Sequence, residues 1–163
     1  MPSDSIPPPP WVLHGEAVAF LAPRLRLRLL VNYHKSPVGP YHEHALATLT
    51  WRGPSVVQMG VDLEASLVGG RRNWGYPKVL ERLAWYLKGK NIIFSRKDKT
   101  FRIRKTYLRL PLALPFWTIQ ELNGQVVRVP ATLRGIARLG FRGRQLALIL
   151  DEFEMKFEAP QPL

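Results

Sequence analysis

Two short stretches carry side chains able to do chemistry: GGRRNWGYPKVL at 69–80 and YHEH at 41–44. In the first, Lys78 follows directly on Gly75-Tyr76-Pro77. A primary amine is a nucleophile only when neutral, and a free lysine has a pKa near ~10.4. Burial against apolar groups lowers that value, because the ammonium loses its hydration. A neutral amine can add to a carbonyl and leave an iminium, an electron sink for the adjacent bond. The corner ahead of Lys78 suits that task. Proline fixes one backbone dihedral and glycine permits a sharp approach, so the backbone sets the direction of the amine. Tyr76 and Trp74 offer an apolar wall. The plainer reading is a surface lysine at the end of a loop, the usual place of a lysine after X-Pro.

In YHEH, a strand sends His42 and His44 to one face and Glu43 to the other. If the histidines face a pocket, His42 and His44 with His34 make a thin metal-site hypothesis. If Glu43 does, it shares its face with Ala45 and Ala47, which leaves room for a ligand beside a carboxylate. A third possibility places all three at a rim. Spacing does not choose among them.

The elements that must position these groups read mostly as strands. In RLRLRLLV, Leu25, Leu27, Leu29 and Val31 alternate with Arg24, Arg26 and Arg28, the pattern of a strand with leucines buried and a solvated arginine face. SPVGP (36–40) and RGPS (52–55) are turns that bracket a strand in YHEHALATLTW, and VVQMGVDLEASLV (56–68) reads as a further strand. NIIFS and TFRIRKTY form a hairpin across residues 96–99, and Asn123-Gly124 marks another turn. In LALILDEFEMKFE, Phe153, Met155 and Phe157 alternate with Glu152, Glu154 and Lys156. KVLERLAWYLK is ambiguous, and its periodicity leans to a helix. Many short strands between turns imply a mainly β domain, a sandwich or barrel.

A length of 163 residues fits one domain over 11–163, preceded by a flexible Pro-rich tail at 1–10 that includes PPPP. The absence of cysteine excludes disulfides and thiolate zinc sites and points to the cytoplasm. The N-terminus lacks the pattern of a signal peptide, and apolar stretches such as LRLPLALPFW are interrupted by Arg and Pro, so no membrane span is expected. A net charge of +12 raises nucleic-acid binding. The basic residues run from Arg24 to Lys156 without forming a nucleic-acid motif, and that reading rests on charge alone.

Together, VNYHKSPVGPYHEHALA and GGRRNWGYPKVL resemble the acetoacetate decarboxylase-like family. Gly70-Arg71 precedes Tyr76-Pro77-Lys78 at the family's spacing, and RGRQLALILDEFEMKFE is similar to its closing segment. The resemblance is strongest over 31–80 and compatible onward to 158. It implies a closed, cone-shaped antiparallel β-barrel with an interior pocket, and a strand after the lysine corner. It implies Lys78 as the Schiff-base lysine and Glu43 as the pocket carboxylate that manages protons. Tyr76, Trp74, Arg71 and His42 become substrate-binding candidates, with Arg71 at the pocket edge. The family's lysine is a known example of an amine activated by a neighbouring cation. Here Val79 stands in place of that second lysine, and Gly15 in place of an arginine that engages the substrate carboxylate. The chain is also much shorter than those enzymes. These departures weaken the case for acetoacetate itself as substrate.

The expectation is therefore a Schiff-base lyase acting on a small oxo-acid or other carbonyl compound, by decarboxylation, retro-aldol cleavage or dehydration. It needs neither metal nor cofactor, because the iminium is the electron sink. Self-association into a homo-oligomer is expected, since aromatics such as Trp11 and Trp117 need cover unless they enter the core. The alternative is a non-catalytic protein that keeps the pocket for a small ligand.

Overall fold

The period-two pattern resolves into strands along most of the chain. In the computed structural model, which describes residues 5–163, β1 (Trp11–Ala22), β2 (Arg26–Lys35), β3 (Tyr41–Thr50) and β4 (Gly53–Val61) form an antiparallel meander. Helix α1 (Glu64–Trp74) follows, and then the short β5 (Lys78–Leu80) lies parallel to β4. A second antiparallel meander contains β6 (Leu83–Lys88), β7 (Asn91–Arg96), β8 (Lys99–Leu122), β9 (Gln125–Arg142) and β10 (Gln145–Phe157). Pairing of β1 with β10 joins the two, and β11 (Gln161–Pro162) adds to β9. The result is one eleven-stranded sheet.

Closure differs from the expected barrel. Among the described residues no backbone ladder joins β4 to β8, and the sheet is not closed by hydrogen-bonded strands. A side chain bridges the gap instead. Gln120 Oε1 accepts the Val56 N–H at 2.8 Å, and Gln120 Nε2 donates to the Val56 carbonyl at 3.2 Å. A carboxamide carries donor and acceptor much as a peptide group does, so one glutamine stands in for a strand neighbour. Pro54 on β4 and Pro115 on β8 lack the donors that a ladder would use.

The sheet is covered on both faces, and this overturns a simple reading of its alternation. Val31, Tyr33, Tyr41 and Ala45 face one core with Trp11 and Trp74. Leu30, Val18 and Phe20 face a second core, built with Ile92, Phe94, Phe101 and Ile103. Leu25 was expected inside but is exposed, because Pro23 opens a 3₁₀ turn in which Arg24 and Leu25 take positive φ before β2 begins. Leu27 is also exposed and Leu29 only half-buried. The buried residues of β2 are Leu30, Val31 and Tyr33. Nor are the arginines a solvated row: Arg28 Nη1 donates to His44 Nε2 at 2.6 Å, and its guanidinium lies over the Phe101 ring.

Two further expectations change. The strand read through 56–68 stops at Val61, and residues from Glu64 onward are helical. The buried residues Ala65, Ser66, Gly69, Gly70, Asn73 and Trp74 fall on one helical stripe. Small residues there let α1 lie close: a Cβ on Gly69 would sit 2.5 Å from the Trp11 ring. KVLERLAWYLK forms strands β5 and β6, as the family resemblance implied and its periodicity did not. The expected loose tail is anchored at Ile6 and Pro7, while Ser5, Pro8 and Pro10 are exposed and residues 1–4 lie outside the described residues. Ile6 is buried in the core, and its carbonyl accepts from Arg72. Pro7 O accepts from Trp11 Nε1 and Asn73 Nδ2. A proline-rich segment makes no internal hydrogen bonds, which frees its carbonyls for such donors.

Candidate active site

The Gly75-Tyr76-Pro77 corner begins at the C-terminal cap of α1. Gly75 adopts a left-handed conformation at φ 73°, with its N–H on the Arg71 carbonyl, and Tyr76 N–H reaches the Gly70 carbonyl. A Cβ on Gly75 would lie 2.0 Å from the Glu121 carbonyl oxygen, so both conformation and space demand glycine. Pro77 then delivers the chain to β5, where Lys78 is paired with Met59 of β4. From the outer side, Arg71 Nε donates to the Lys78 carbonyl at 2.8 Å and fixes the main chain of the corner.

The amine points inward. Lys78 is 3% exposed and Glu43 5%. Lys78 Nζ stands 3.3 Å from Glu43 Oε2 and donates to Ser66 Oγ at 2.8 Å. Tyr33 OH donates to the other Glu43 oxygen at 3.1 Å. Tyr76 OH pairs with Thr118 Oγ1 at 3.0 Å. Burial pushes the Lys78 amine below the ordinary lysine value, against the opposing pull of Glu43. Burial also holds Tyr33, Tyr41 and Tyr76 well above the usual phenol value, so all three remain neutral hydrogen-bonding groups. Over the amine lies a cavity of about 20 Å³ walled chiefly by Trp11, Leu13, Met59, Trp74, Tyr76 and Phe157. That is room for about one ordered water before any side chain moves.

The fold thus brings together Lys78, Glu43, Tyr76 and Trp74. It separates the other two candidates from them. His42 points to the opposite face of β3 from Glu43, where Nδ1 lies 2.6 Å from Asp62 Oδ2. Arg71 binds main chain on the outer side and does not line the cavity. The histidines do not gather: His44 is fully buried against Arg28, and His34 sits exposed near Glu16. Among the described residues no group of three or more His, Cys, Asp or Glu is placed to hold a metal. Sequence reasoning missed Ser66, Tyr33, Met59 and Phe157. Ser66 had a signal: Ser66, Gly70 and Trp74 are spaced by four, the spacing of one helical face.

The two departures from the family pattern have structural expression. Val79 alternates outward from Lys78 and is half exposed. Gly15 lies between Tyr33 of β2 and Phe153 of β10 in register, and a Cβ there would meet the Asn32 carbonyl oxygen at 2.1 Å. No side chain fits at position 15 without moving backbone.

The fold is that of acetoacetate decarboxylase, in agreement with the resemblance read from the two motifs. An acetoacetate decarboxylase from Legionella pneumophila superposes with a TM-score of 0.69 at 13% identity, over 98% of this chain and 89% of that one. A second acetoacetate decarboxylase structure gives 0.61 at 12% identity, over 96% of this chain and 89% of the other. The enduracididine biosynthesis enzyme MppR, complexed with pyruvate, gives 0.54 at 12% identity, over 96% and 91%. The chain was expected to be much shorter than such enzymes, but the difference from these structures is slight. No family model matches the sequence, and no curated protein is similar to it in sequence. No helix among the described residues is long and apolar enough to cross a membrane.

Proposed function

We propose that this protein is a Schiff-base-forming enzyme, a lyase in which Lys78 is the nucleophile toward a small carbonyl compound. The observation that carries the reading is the Lys78 amine, buried and depressed in pKa, 3.3 Å from Glu43 beside an apolar cavity. The neutral amine adds to the carbonyl carbon, and the carbonyl electron pair moves to oxygen, which takes a proton. Loss of water from the carbinolamine leaves an iminium. In this reading Glu43 carries the proton in each step and then faces the cation that forms. Ser66 accepts one amine hydrogen and Glu43 faces another, so the third direction is left for the carbonyl carbon. Likeness in fold to acetoacetate decarboxylase, and to an enzyme complexed with pyruvate, supports carbonyl chemistry in this scaffold.

The close Lys78–Glu43 pair and the small cavity also favour a second reading, a pocket protein that binds a small ligand without turnover. Borohydride reduction in the presence of carbonyl compounds, followed by intact mass spectrometry, separates the two. The enzyme reading expects a covalent adduct that Lys78→Ala abolishes. The binding reading expects ligand-induced stabilisation with no adduct.

Self-association belongs to the same proposal. Trp11 has entered the core, but Tyr107, Leu108 and Leu110 in the middle of β8 are each more than half exposed. Light scattering at micromolar concentration should report more than a monomer, and a clean monomer would remove this part. A cysteine-free chain of this kind is expected in the cytoplasm, which fractionation of the source cells checks.

A further inference from the structure

The charges around the amine leave nothing to receive a substrate carboxylate. Lys78 and Glu43 are the only ionisable Lys, Arg, His, Asp or Glu side chains lining the cavity among the described residues. They already face each other. Arg71 spends its Nε on main chain outside the wall. Two of the neutral donors that line the cavity are engaged as well. Tyr33 OH is on Glu43, and Tyr76 OH is on Thr118.

Charge counting then separates two classes of substrate. With an uncharged carbonyl compound, the product of addition is one iminium cation facing one Glu43 carboxylate, and the buried site is neutral. With an oxo acid, the same iminium must serve two carboxylates, and one buried negative charge is left over. An uncompensated buried charge is strongly disfavoured. We infer that the site takes an uncharged short aldehyde or ketone and discriminates against oxo acids. The inference rests on the imine reading of Lys78. Its chemistry closes without a carboxylate. Glu43 can remove a proton from the carbon next to the iminium, and that electron pair moves into the C–C bond to give a neutral enamine. Enamines lead to aldol and dehydration reactions, whereas decarboxylation has no group to release. Met59 in the wall is the flexible side chain best suited to make room for a short chain.

The test uses the full chain and borohydride trapping, with propanal and acetone as uncharged probes and pyruvate and acetoacetate as charged ones. Each rate is divided by the rate of the same probe with a free lysine derivative, which removes intrinsic reactivity. The normalised rate at Lys78 should favour the uncharged probes by about a hundredfold, the scale of one poorly compensated buried charge. In Glu43→Gln the excess negative charge disappears, so the ratio of pyruvate to propanal trapping should rise about tenfold or more. Equal or faster trapping of pyruvate in the parent protein overturns the inference and leaves the Lys78 chemistry standing. Absence of any adduct at Lys78 with all four probes overturns both. A Glu43→Gln ratio that does not move shows that exclusion is not electrostatic and overturns the charge argument.

Discussion

Lys78 on β5 reaches over β4 to meet Glu43 on β3, and the two close to 3.3 Å on the inner face of the sheet. Neither group is positioned by its own strand alone. The α1 cap turns the chain so that Lys78 enters β5 facing inward, and the alternation of β3 brings Glu43 to the same face. The pair is buried, so each charge depends on the other and on Ser66 and Tyr33 for compensation.

Gly70 is the first lever on this arrangement. A Cβ there would lie 2.5 Å from Lys78 Cε and 2.6 Å from Cδ. The lysine chain is flexible, so it should yield before the backbone does, and alanine regains about 1 kcal/mol of helix propensity. Gly70→Ala is expected to melt within a few degrees of the parent while losing at least about tenfold in trapping rate. Unchanged trapping would show that the amine needs no such mount.

The pH dependence has a definite sign. Burial lowers the folded-state pKa of Lys78 beneath the ~10.4 of an unfolded lysine, and Glu43 partly restores it. Trapping should rise as pH climbs toward that depressed value and then level off. Stability moves the same way: between the two values the unfolded chain holds the extra proton, so folding gains as pH rises through that window. In Glu43→Gln the restoring charge is gone. The trapping limb should shift to lower pH with a lower plateau, because proton transfer is impaired. A limb that shifts upward would place some other group in control.

How much of this was legible in the sequence depends on the kind of signal each residue leaves. The corner at Gly75-Tyr76-Pro77 and its lysine are local, and the resemblance to the acetoacetate decarboxylase-like family tied Lys78 to Glu43 across 35 positions. Ser66 was hidden because small residues in DLEASLVGG fit a strand interruption as well as a helix stripe. Leu25 and Leu27 misled because alternation assumes one wet face, whereas β2 is packed on both sides and preceded by a turn. His42 was a substrate-binding candidate, but it lies on the face of β3 opposite Glu43 and pairs with Asp62. Gln120 leaves no local signal at all, since its partner Val56 is 64 residues away.

His44 sits on the second face with burial, Arg96 and Arg28 holding its pKa down to about 3. Lys99 also disfavours its protonated form, and Glu81 opposes. Its folded value lies below the unfolded 6.5, so the stability it contributes is complete above that pH and is lost as pH falls toward 3. Between pH 6.5 and 5 the loss should come to about 1.6 kcal/mol. His44→Gln keeps an acceptor for Arg28 and cannot titrate. Urea unfolding at both pH values should show a smaller acid loss in the variant, and equal losses would discharge His44 from this role.

Closure through Gln120 is open to the same method. Gln120→Leu leaves the Val56 N–H and carbonyl without their partners, which should cost about 2 kcal/mol or more. A loss below about 0.5 kcal/mol in urea unfolding would mean that the gap between β4 and β8 is held by other contacts.

The central claim is that one lysine of this chain, Lys78, is a nucleophile by design of its surroundings. Peptide mapping of the borohydride-reduced protein after exposure to propanal tests it most directly. Lys78 is buried, whereas Lys90 is exposed. At low probe concentration and neutral pH the adduct should be found on the peptide carrying Lys78, with surface lysines unmodified. An adduct spread over the surface lysines with Lys78 untouched would contradict the account.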